Sequence, residues 1–176
     1  MNILVTGANG FVGKALVLYL LRKRGVNVSA TARQFFELPA ECKIHIASLD
    51  LKTDWIDALR ECDVVVHVAA RVHLLKDRHT DTLSALRAIN TGGTLNLARQ
   101  AAKAGVRRFV FVSSIKVNGD ATNPGSFFTA DDTPNPSDEY SISKWEAEQG
   151  LMRLATETKM EIVIIRPPML YGPNVK

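Results

Sequence analysis

Short apolar runs rich in β-branched residues alternate along this chain with longer amphipathic segments. Runs that are apolar along their whole length indicate strands in a sheet that is covered on both faces. Regular alternation of such strands with helices predicts an α/β protein with a doubly wound parallel sheet. The predicted strands are 2–6, 26–32, 43–47, 63–68, 107–113 and 161–166, and the predicted helices are 11–24, 53–61, about 81–104 and 137–158.

One stretch interrupts this alternation. Residues 118–136 combine glycine, asparagine, aspartate and threonine with three prolines, which predicts a long surface loop. Loops of this length within compact domains usually serve a function. The chain then stops at 171–176, directly after the last predicted strand, and no helix follows to close the sheet. We therefore expect a fragment.

Composition narrows the class of protein. The 176 residues suit a single domain, and the net charge of +4 is mild, with basic residues dispersed rather than gathered into a nucleic-acid-binding stripe. Cys42 and Cys62 lack metal-like spacing, and we predict reduced thiols in a cytoplasmic protein. No basic leader precedes the first strand, and no apolar run approaches the ~18 residues that a membrane span needs.

A glycine-rich turn follows the first strand and opens the first helix. The residues are Gly7-Ala8-Asn9-Gly10-Phe11-Val12-Gly13. Glycines at this place permit a tight turn, close approach of the main chain to a pyrophosphate, and close packing of helix on strand. The helix N-terminus offers N–H groups and a positive dipole end to the anion. Together these features predict a dinucleotide-binding domain.

The end of the second strand bears on which dinucleotide binds. An acidic residue there would accept a hydrogen bond from the ribose 2′-hydroxyl of NAD, whereas an arginine accommodates the 2′-phosphate of NADP. This chain has Ala32 followed by Arg33. The pattern favours NADP(H) slightly over NAD(H), although Arg33 could also stack on the adenine or lie in solvent.

Candidate catalytic groups follow later in the chain. Ser113 and Ser114 close the fifth predicted strand, and Tyr140 and Lys144 lie four residues apart on a predicted helix, so both can face one cleft. A phenol with a pKa near ~10 is a poor base at neutral pH. A neighbouring ammonium favours the phenolate, so we expect Lys144 to lower the pKa of Tyr140.

From residue 1 to residue 176 the sequence resembles the extended short-chain dehydrogenases/reductases, the NAD-dependent epimerase/dehydratase family with a Rossmann fold. Its likeness is greatest to UDP-sugar 4-epimerase-like enzymes of bacterial polysaccharide biosynthesis. The resemblance rests on the glycine motif, Asp50, the segment 67–70, Ser114, Tyr140 with Lys144, and the segment 166–173. It implies cofactor contacts by Gly7, Gly10, Phe11, Val12, Gly13, Asp50, Leu51, Ala69, Ala70, Tyr140, Lys144 and Pro167, beside Arg33.

The sequence departs from the family pattern in three places. Val117-Asn118-Gly119 replaces the frequent Val-Tyr-Gly, which we interpret as a minor loop change. Sugar dehydratases resemble one another in having Asp-Glu directly after the catalytic Ser or Thr, and this pair supplies the acid and base for water loss. This chain has Ile115 and Lys116 there, which argues against a dehydratase. The family's C-terminal substrate domain is missing, so we assign 1–176 to the dinucleotide-binding domain and expect the substrate domain after 176.

The resemblance implies hydride transfer at a sugar carbon. Tyr140 would take a proton from a sugar hydroxyl, Lys144 would hold the nicotinamide ribose, and Ser114 would stabilise charge on the reacting oxygen. The substrate would be a nucleotide sugar or a related sugar pyrophosphate. Two alternatives stay open: an NADPH-dependent reductase of a 4-keto sugar, and a non-catalytic protein that senses NAD(P).

Two further expectations concern metals and assembly. His67 ends an apolar strand and is interpreted as a packed residue, and His45, His73 and His79 lack ligand spacing with it, so no metal is predicted. The two long predicted helices resemble those that form a four-helix dimer interface in the family. Their apolar residues exceed what one sheet-facing stripe needs, which predicts a homodimer. These residues are Leu83, Leu86, Ile89, Leu95 and Leu97.

Overall fold

The structure is a computed structural model that describes residues 1–72 and 82–173. Six strands form one sheet in the order β3-β2-β1-β4-β5-β6, and every neighbouring pair is parallel. Each predicted strand is present, and its ends agree with the prediction to within one residue. The strands are β1 (Asn2–Thr6), β2 (Asn27–Ala32), β3 (Lys43–Ile46), β4 (Val64–His67), β5 (Arg108–Val112) and β6 (Glu161–Ile165).

Apolar clusters cover both faces of the sheet, as the apolar strands predicted. Successive residues of a strand point to opposite faces, so Ile3 and Val5 pack in one cluster with Val17 of the first helix. Leu4 points the other way, into a cluster that contains Phe109 of the fifth strand and apolar residues of the later helices. Most residues of β1, β2 and β4 are buried, and β5 is buried at alternate positions. The edge strands β3 and β6 are partly exposed because each has a single neighbour.

The helices are shorter or less regular than predicted. The segment predicted at 81–104 contains a π-helical stretch, Arg87–Gly93, between two α-helices, and Asp81 lies outside the described residues, as do His73, His79 and the chain end at 174–176. A 3₁₀ turn, Ile115–Val117, follows β5. The α-helices are α1 (Phe11–Leu20), α2 (Ile56–Leu59), α3 (Thr82–Leu86), α4 (Thr94–Lys103) and α5 (Glu139–Glu157).

Helix α2 shows why the prediction of 53–61 was too long. The carboxylate of Asp50 accepts hydrogen bonds from the N–H groups of Lys52 (2.7 Å) and Thr53 (2.8 Å), which holds that stretch in a turn. The N–H of Trp55 then donates to the Gln100 side chain at 2.8 Å instead of to a helical carbonyl. At the other end, Glu61 adopts a left-handed backbone conformation with φ of 56°, which no helix continues.

The leucines that predicted a dimer face are largely accounted for within the chain. Leu86 and Leu97 are buried, and Leu95 packs against Gly150 of α5. A β-carbon at Gly150 would lie 2.6 Å from the Leu95 methyl carbons, so this glycine lets the two helices approach closely. Leu83 and Ile89 are half-buried. The apolar surplus therefore gives no independent support for a dimer.

The remaining structural expectations concern the loop, the cysteines and membranes. Residues 118–136 form a long irregular segment between the 3₁₀ turn and α5, as predicted. Cys42 and Cys62 are both buried free thiols, and burial raises the pKa of each. In the two described ranges, no helix is both long and apolar enough to cross a membrane.

The glycine turn gives a stability prediction. A β-carbon at Gly13 would lie 2.2 Å from the Gly7 carbonyl oxygen, a main-chain atom that cannot move without opening the turn. We expect Gly13→Ala to lower the free energy of unfolding of this chain by about 3 kcal/mol or more, the upper range for overpacking. Gly10→Ala is the matched control, because its β-carbon would lie 3.2 Å from the same oxygen and should cost less than about 1 kcal/mol. Equal urea midpoints for the two variants would contradict this interpretation of the turn.

Candidate active site

The sheet has one point where the strand order reverses, between β1 and β4. Ligands of open α/β sheets bind outside the carboxyl ends of the strands at this crevice. Gly7 follows β1 and Ala69 follows β4, so both lie at the crevice. Gly7 has φ of +67°, and a β-carbon there would lie 2.8 Å from the Ala69 main chain. Only glycine allows the two segments to approach this closely.

The first turn of α1 fits a bound anion. Its N-cap residue Gly10 provides no side-chain cap, and no acidic residue occupies the first turn. The main-chain N–H groups there have no intrahelical partner, so an anionic group at the helix N-terminus can accept their hydrogen bonds. Phe11 is partly exposed, Val12 is half-buried and Gly13 is buried against Gly7. The residues therefore fit the pyrophosphate of a dinucleotide.

Four other residues predicted to contact the cofactor follow the carboxyl ends of β2, β3 and β4. Arg33 follows β2 and is exposed, and Ala70 follows β4 and is also exposed. Asp50 uses one carboxylate oxygen to hold its own turn, and these backbone hydrogen bonds lower its pKa. Leu51 is 60% exposed, and its side chain touches Gly92 of the π-helix. Gly92 and Gly93 of the π-helix have no side chains, so the segment after β3 can pack directly against them.

Ser114 lies at the end of β5, half-buried, and caps the 3₁₀ turn that follows. Its hydroxyl oxygen accepts a hydrogen bond from the N–H of Lys116 at 3.3 Å. The Lys116 ammonium in turn lies 2.6 Å from a carboxylate oxygen of Asp138, the N-cap residue of α5. This ion pair brings the Ser114 segment to the start of the helix that carries Tyr140. Lys116 therefore has a structural contact at the position where dehydratases carry an acid.

Tyr140 occupies the first turn of α5 and is half-buried. Asp138 and Ser141 form a capping box that fixes this end of the helix. Burial, and next the charge of Asp138, raise the pKa of the Tyr140 phenol. The prediction that Lys144 lowers the pKa of Tyr140 is therefore wrong.

The reason lies in the position of Lys144. Its side chain is buried and its amine donates a hydrogen bond to the Val112 carbonyl at 2.8 Å. The same nitrogen lies 4.0 Å from the centre of the Phe111 ring, a cation–π contact. Burial lowers the pKa of Lys144 to about 7, against which the charge of Glu148 acts. The amine thus carries only part of its charge near neutral pH, which weakens its effect on Tyr140.

His67 is a packed residue, as predicted, but it also joins two elements. It is fully buried, and burial lowers its pKa to about 3, so the imidazole is neutral. Its two ring nitrogens lie 2.6 Å from the Thr6 hydroxyl and 2.8 Å from the Thr94 hydroxyl. The Thr6 oxygen accepts a hydrogen bond from the N–H of Ala69. Among the described residues, no group of three or more His, Cys, Asp or Glu could hold a metal ion.

Asn90 is a site residue that the sequence analysis missed. It is buried in the π-helix, and its amide accepts from the N–H of Arg71 (2.8 Å) and donates to the carbonyl of Arg71 (2.9 Å). The same side chain donates to the Ser143 hydroxyl, which donates to the Tyr140 carbonyl. Asn90 therefore ties the segment after β4 to the helix of Tyr140. The Gly92-Gly93 pair inside a predicted helix was the available signal, because paired glycines often mark helix distortion.

Comparison with known proteins agrees with this geometry. Residues 3–176 match the NAD dependent epimerase/dehydratase family. The chain is 43% identical over 175 residues to the UDP-glucose 4-epimerase of Vibrio cholerae, covering 99% of this chain and 53% of that protein. It superimposes on the UDP-glucuronic acid 4-epimerase of Bacillus cereus in complex with NAD with a TM-score of 0.86 and 25% identity, covering 100% of this chain and 59% of that one.

A second solved structure gives the same result. The UDP-glucose 4-epimerase of Thermus thermophilus in complex with NAD has a TM-score of 0.86 and 26% identity, with 100% of this chain and 58% of that one covered. The chain thus spans about half the length of the curated relatives it matches. Family match, sequence identity and fold all agree. The chain therefore belongs to the NAD-dependent epimerase/dehydratase family of extended short-chain dehydrogenases/reductases.

Proposed function

We propose that this chain is the dinucleotide-binding domain of a nucleotide-sugar 4-epimerase-like oxidoreductase. One observation supports the proposal: the Lys144 amine bonds the Val112 carbonyl at the carboxyl end of β5, Ser114 follows that strand, and Tyr140 lies one turn before Lys144 on α5. A residue set for hydride transfer thus stands beside a site that fits a pyrophosphate. Substrate specificity is assigned to a domain that follows residue 176 in the complete protein, and the location is expected to be cytoplasmic.

Each group has a chemical task in this proposal. The nicotinamide, when bound, accepts or delivers the hydride. Tyr140 accepts the proton of the sugar hydroxyl as that carbon is oxidised, and returns it on reduction. Ser114 donates a hydrogen bond to the reacting oxygen. Lys144 binds the nicotinamide ribose, and the positive charge of an oxidised nicotinamide would favour the phenolate and so oppose the effect of burial on the pKa of Tyr140.

Two alternatives remain, each with an observation in its favour. Reduction of a 4-keto sugar by NADPH is favoured by Arg33, which stands exposed where a 2′-phosphate would lie. A non-catalytic sensor of NAD(P) would need the glycine turn alone. The retained Ser114, Tyr140 and Lys144 favour an enzyme over such a sensor.

Replacement of the phenol separates an enzyme from a sensor. In the protein expressed from its complete reading frame, Tyr140→Phe should lower the turnover of a UDP-sugar by roughly 10²–10⁴-fold, the usual value of a positioned acid–base group. The variant should bind its dinucleotide as the unsubstituted protein does. Tyr19→Phe is the control, because Tyr19 is an exposed tyrosine on α1. Undiminished turnover by Tyr140→Phe would exclude the assigned role.

Cofactor preference can be tested on this chain alone. We expect NADP(H) to bind more tightly than NAD(H), and Arg33→Ala to remove the difference. A charge-assisted contact to phosphate is worth about 1.5–3 kcal/mol, or roughly ten- to hundred-fold in affinity. Arg24→Ala, an exposed arginine at the other end of β2, is the matched control. Equal affinity for the two dinucleotides in the unsubstituted chain would refute the assignment to Arg33.

A homodimer is the remaining proposal, and it rests on the resemblance of α3–α4 and α5 to the paired helices of the family. Isologous dimers are the commonest assembly of soluble oligomers. Light scattering at micromolar concentration should give twice the mass of one chain. A monomeric mass across that range would exclude the dimer.

A further inference from the structure

A buried ion pair joins the ends of the last two strands to helix α5. Glu148 is 1% exposed and its carboxylate accepts a hydrogen bond from the Ser113 hydroxyl, next to Ser114. The guanidinium of Arg166, one residue after β6, donates to the same carboxylate through two nitrogens, at 2.6 Å from Nη2 and 3.1 and 3.2 Å from Nε. One carboxylate thus fixes both strand ends that precede proposed site residues, Ser114 and Pro167.

Arg166 extends this contact to the long loop. Its Nη1 donates to the side-chain oxygen of Asn118 at 3.0 Å, and the Asn118 amide donates to the Thr129 carbonyl at 2.9 Å. Asn118 is 5% exposed although it begins a predicted surface loop. It is also the residue that replaces the tyrosine of the frequent Val-Tyr-Gly pattern. Asn118 therefore connects Arg166, directly after β6, to the loop.

The same side chains line a cavity of about 890 Å³ between the loop, α5 and β6. The Glu148 carboxylate and the Arg166 guanidinium already bond each other, Ser113 and Asn118 inside the protein. Burying two charges costs several kcal/mol per ion unless good geometry and further hydrogen bonds compensate. The contacts of this pair supply that compensation. Its chemistry is therefore that of an internal positioning device and not of a ligand site.

We propose that Glu148, Arg166 and Asn118 form a positioning relay that holds Ser114 and the loop 118–136 in one fixed arrangement. Glu148 and Arg166 are its anchor, and Asn118 is its connection to the loop. A shift of the loop would displace Arg166 and, through Glu148, would also displace Ser113 and its neighbour Ser114. The part that concerns Ser114 rests on the proposed function, whereas the coupling of loop to strand ends does not.

Hydrogen exchange of this chain tests the coupling directly. Asn118→Ala removes the hydrogen bond to the Thr129 carbonyl of the loop and the one from Arg166, and it keeps the buried ion pair. Main-chain amides of 126–132 should then exchange about tenfold faster, the factor expected for one lost net hydrogen bond. Asn118→Asp keeps an acceptor for Arg166 but loses the donor to Thr129, so it should speed exchange in 126–132 alone. Arg166→Lys keeps the positive charge but loses the bidentate contact with Glu148. This variant should therefore speed exchange in 113–117 as well as in 126–132.

The matched control is Glu161→Gln. Glu161 also pairs an arginine across β5 and β6, with Arg108 at 2.5 Å, but both side chains are about half exposed. This variant should leave exchange in both segments unchanged. The relay is overturned if Asn118→Ala and Asn118→Asp leave exchange in 126–132 unchanged, or if Glu161→Gln speeds it equally.

A kinetic arm concerns Ser114 in the protein from the complete reading frame. Arg166→Lys should lower kcat for a UDP-sugar by a larger factor than it weakens dinucleotide binding, because it displaces Ser114 and Pro167 but leaves the glycine turn in place. An unchanged kcat in a variant whose exchange at 113–117 is faster would overturn the link to Ser114. If the unsubstituted protein acts on no UDP-sugar with either dinucleotide, the proposed function fails, and the exchange data still decide the relay.

Discussion

The parallel direction of all six strands is the constraint on which the site depends. Because every strand runs the same way, the residue after each strand emerges at one edge of the sheet, whatever its distance in sequence. Gly7 and Ala69 meet there although 62 positions separate them, and Ser114 and Pro167 do the same through the pairing of β5 with β6. The strand reversal between β1 and β4 opens the crevice at this edge. The sheet register therefore sets the distances between the candidate groups that directly follow the strands.

Three buried polar groups, on β4 and α5, hold the site residues in place. His67, Lys144 and Glu148 are each at most 1% exposed, and all three have hydrogen-bond partners on neighbouring elements. In a medium of low polarity an unpartnered polar group is costly. Small displacements of a strand or helix are therefore opposed by hydrogen bonds that would be left unmade. This rigidity suits a site in which a hydride donor and acceptor must be held in line.

Membership of the family constrains the activity without specifying it. The fold and the glycine turn suit a dinucleotide, and the proposed function assigns proton movement to Tyr140. Ile115 and Lys116 stand at the position of the dehydratase acid and base, and the Lys116 ammonium is paired with Asp138. In the proposed epimerisation the hydride returns to the sugar after the sugar has turned, whereas in the alternative reduction NADPH delivers its hydride once.

Local patterns were enough to predict the strands, their parallel class, the glycine turn and the Tyr140–Lys144 spacing, because each depends on residues within a few positions of one another. Which distant groups became partners depended on packing. Asn90 and Asn118 resemble ordinary surface polar residues in the sequence, and they become connectors only when packing removes them from water. For the same reason the pKa of Tyr140 is raised in the structure, whereas the sequence predicted that it would be lowered. Burial and the location of the Lys144 amine set that pKa, and both are properties of the folded interior that the spacing of residues does not contain.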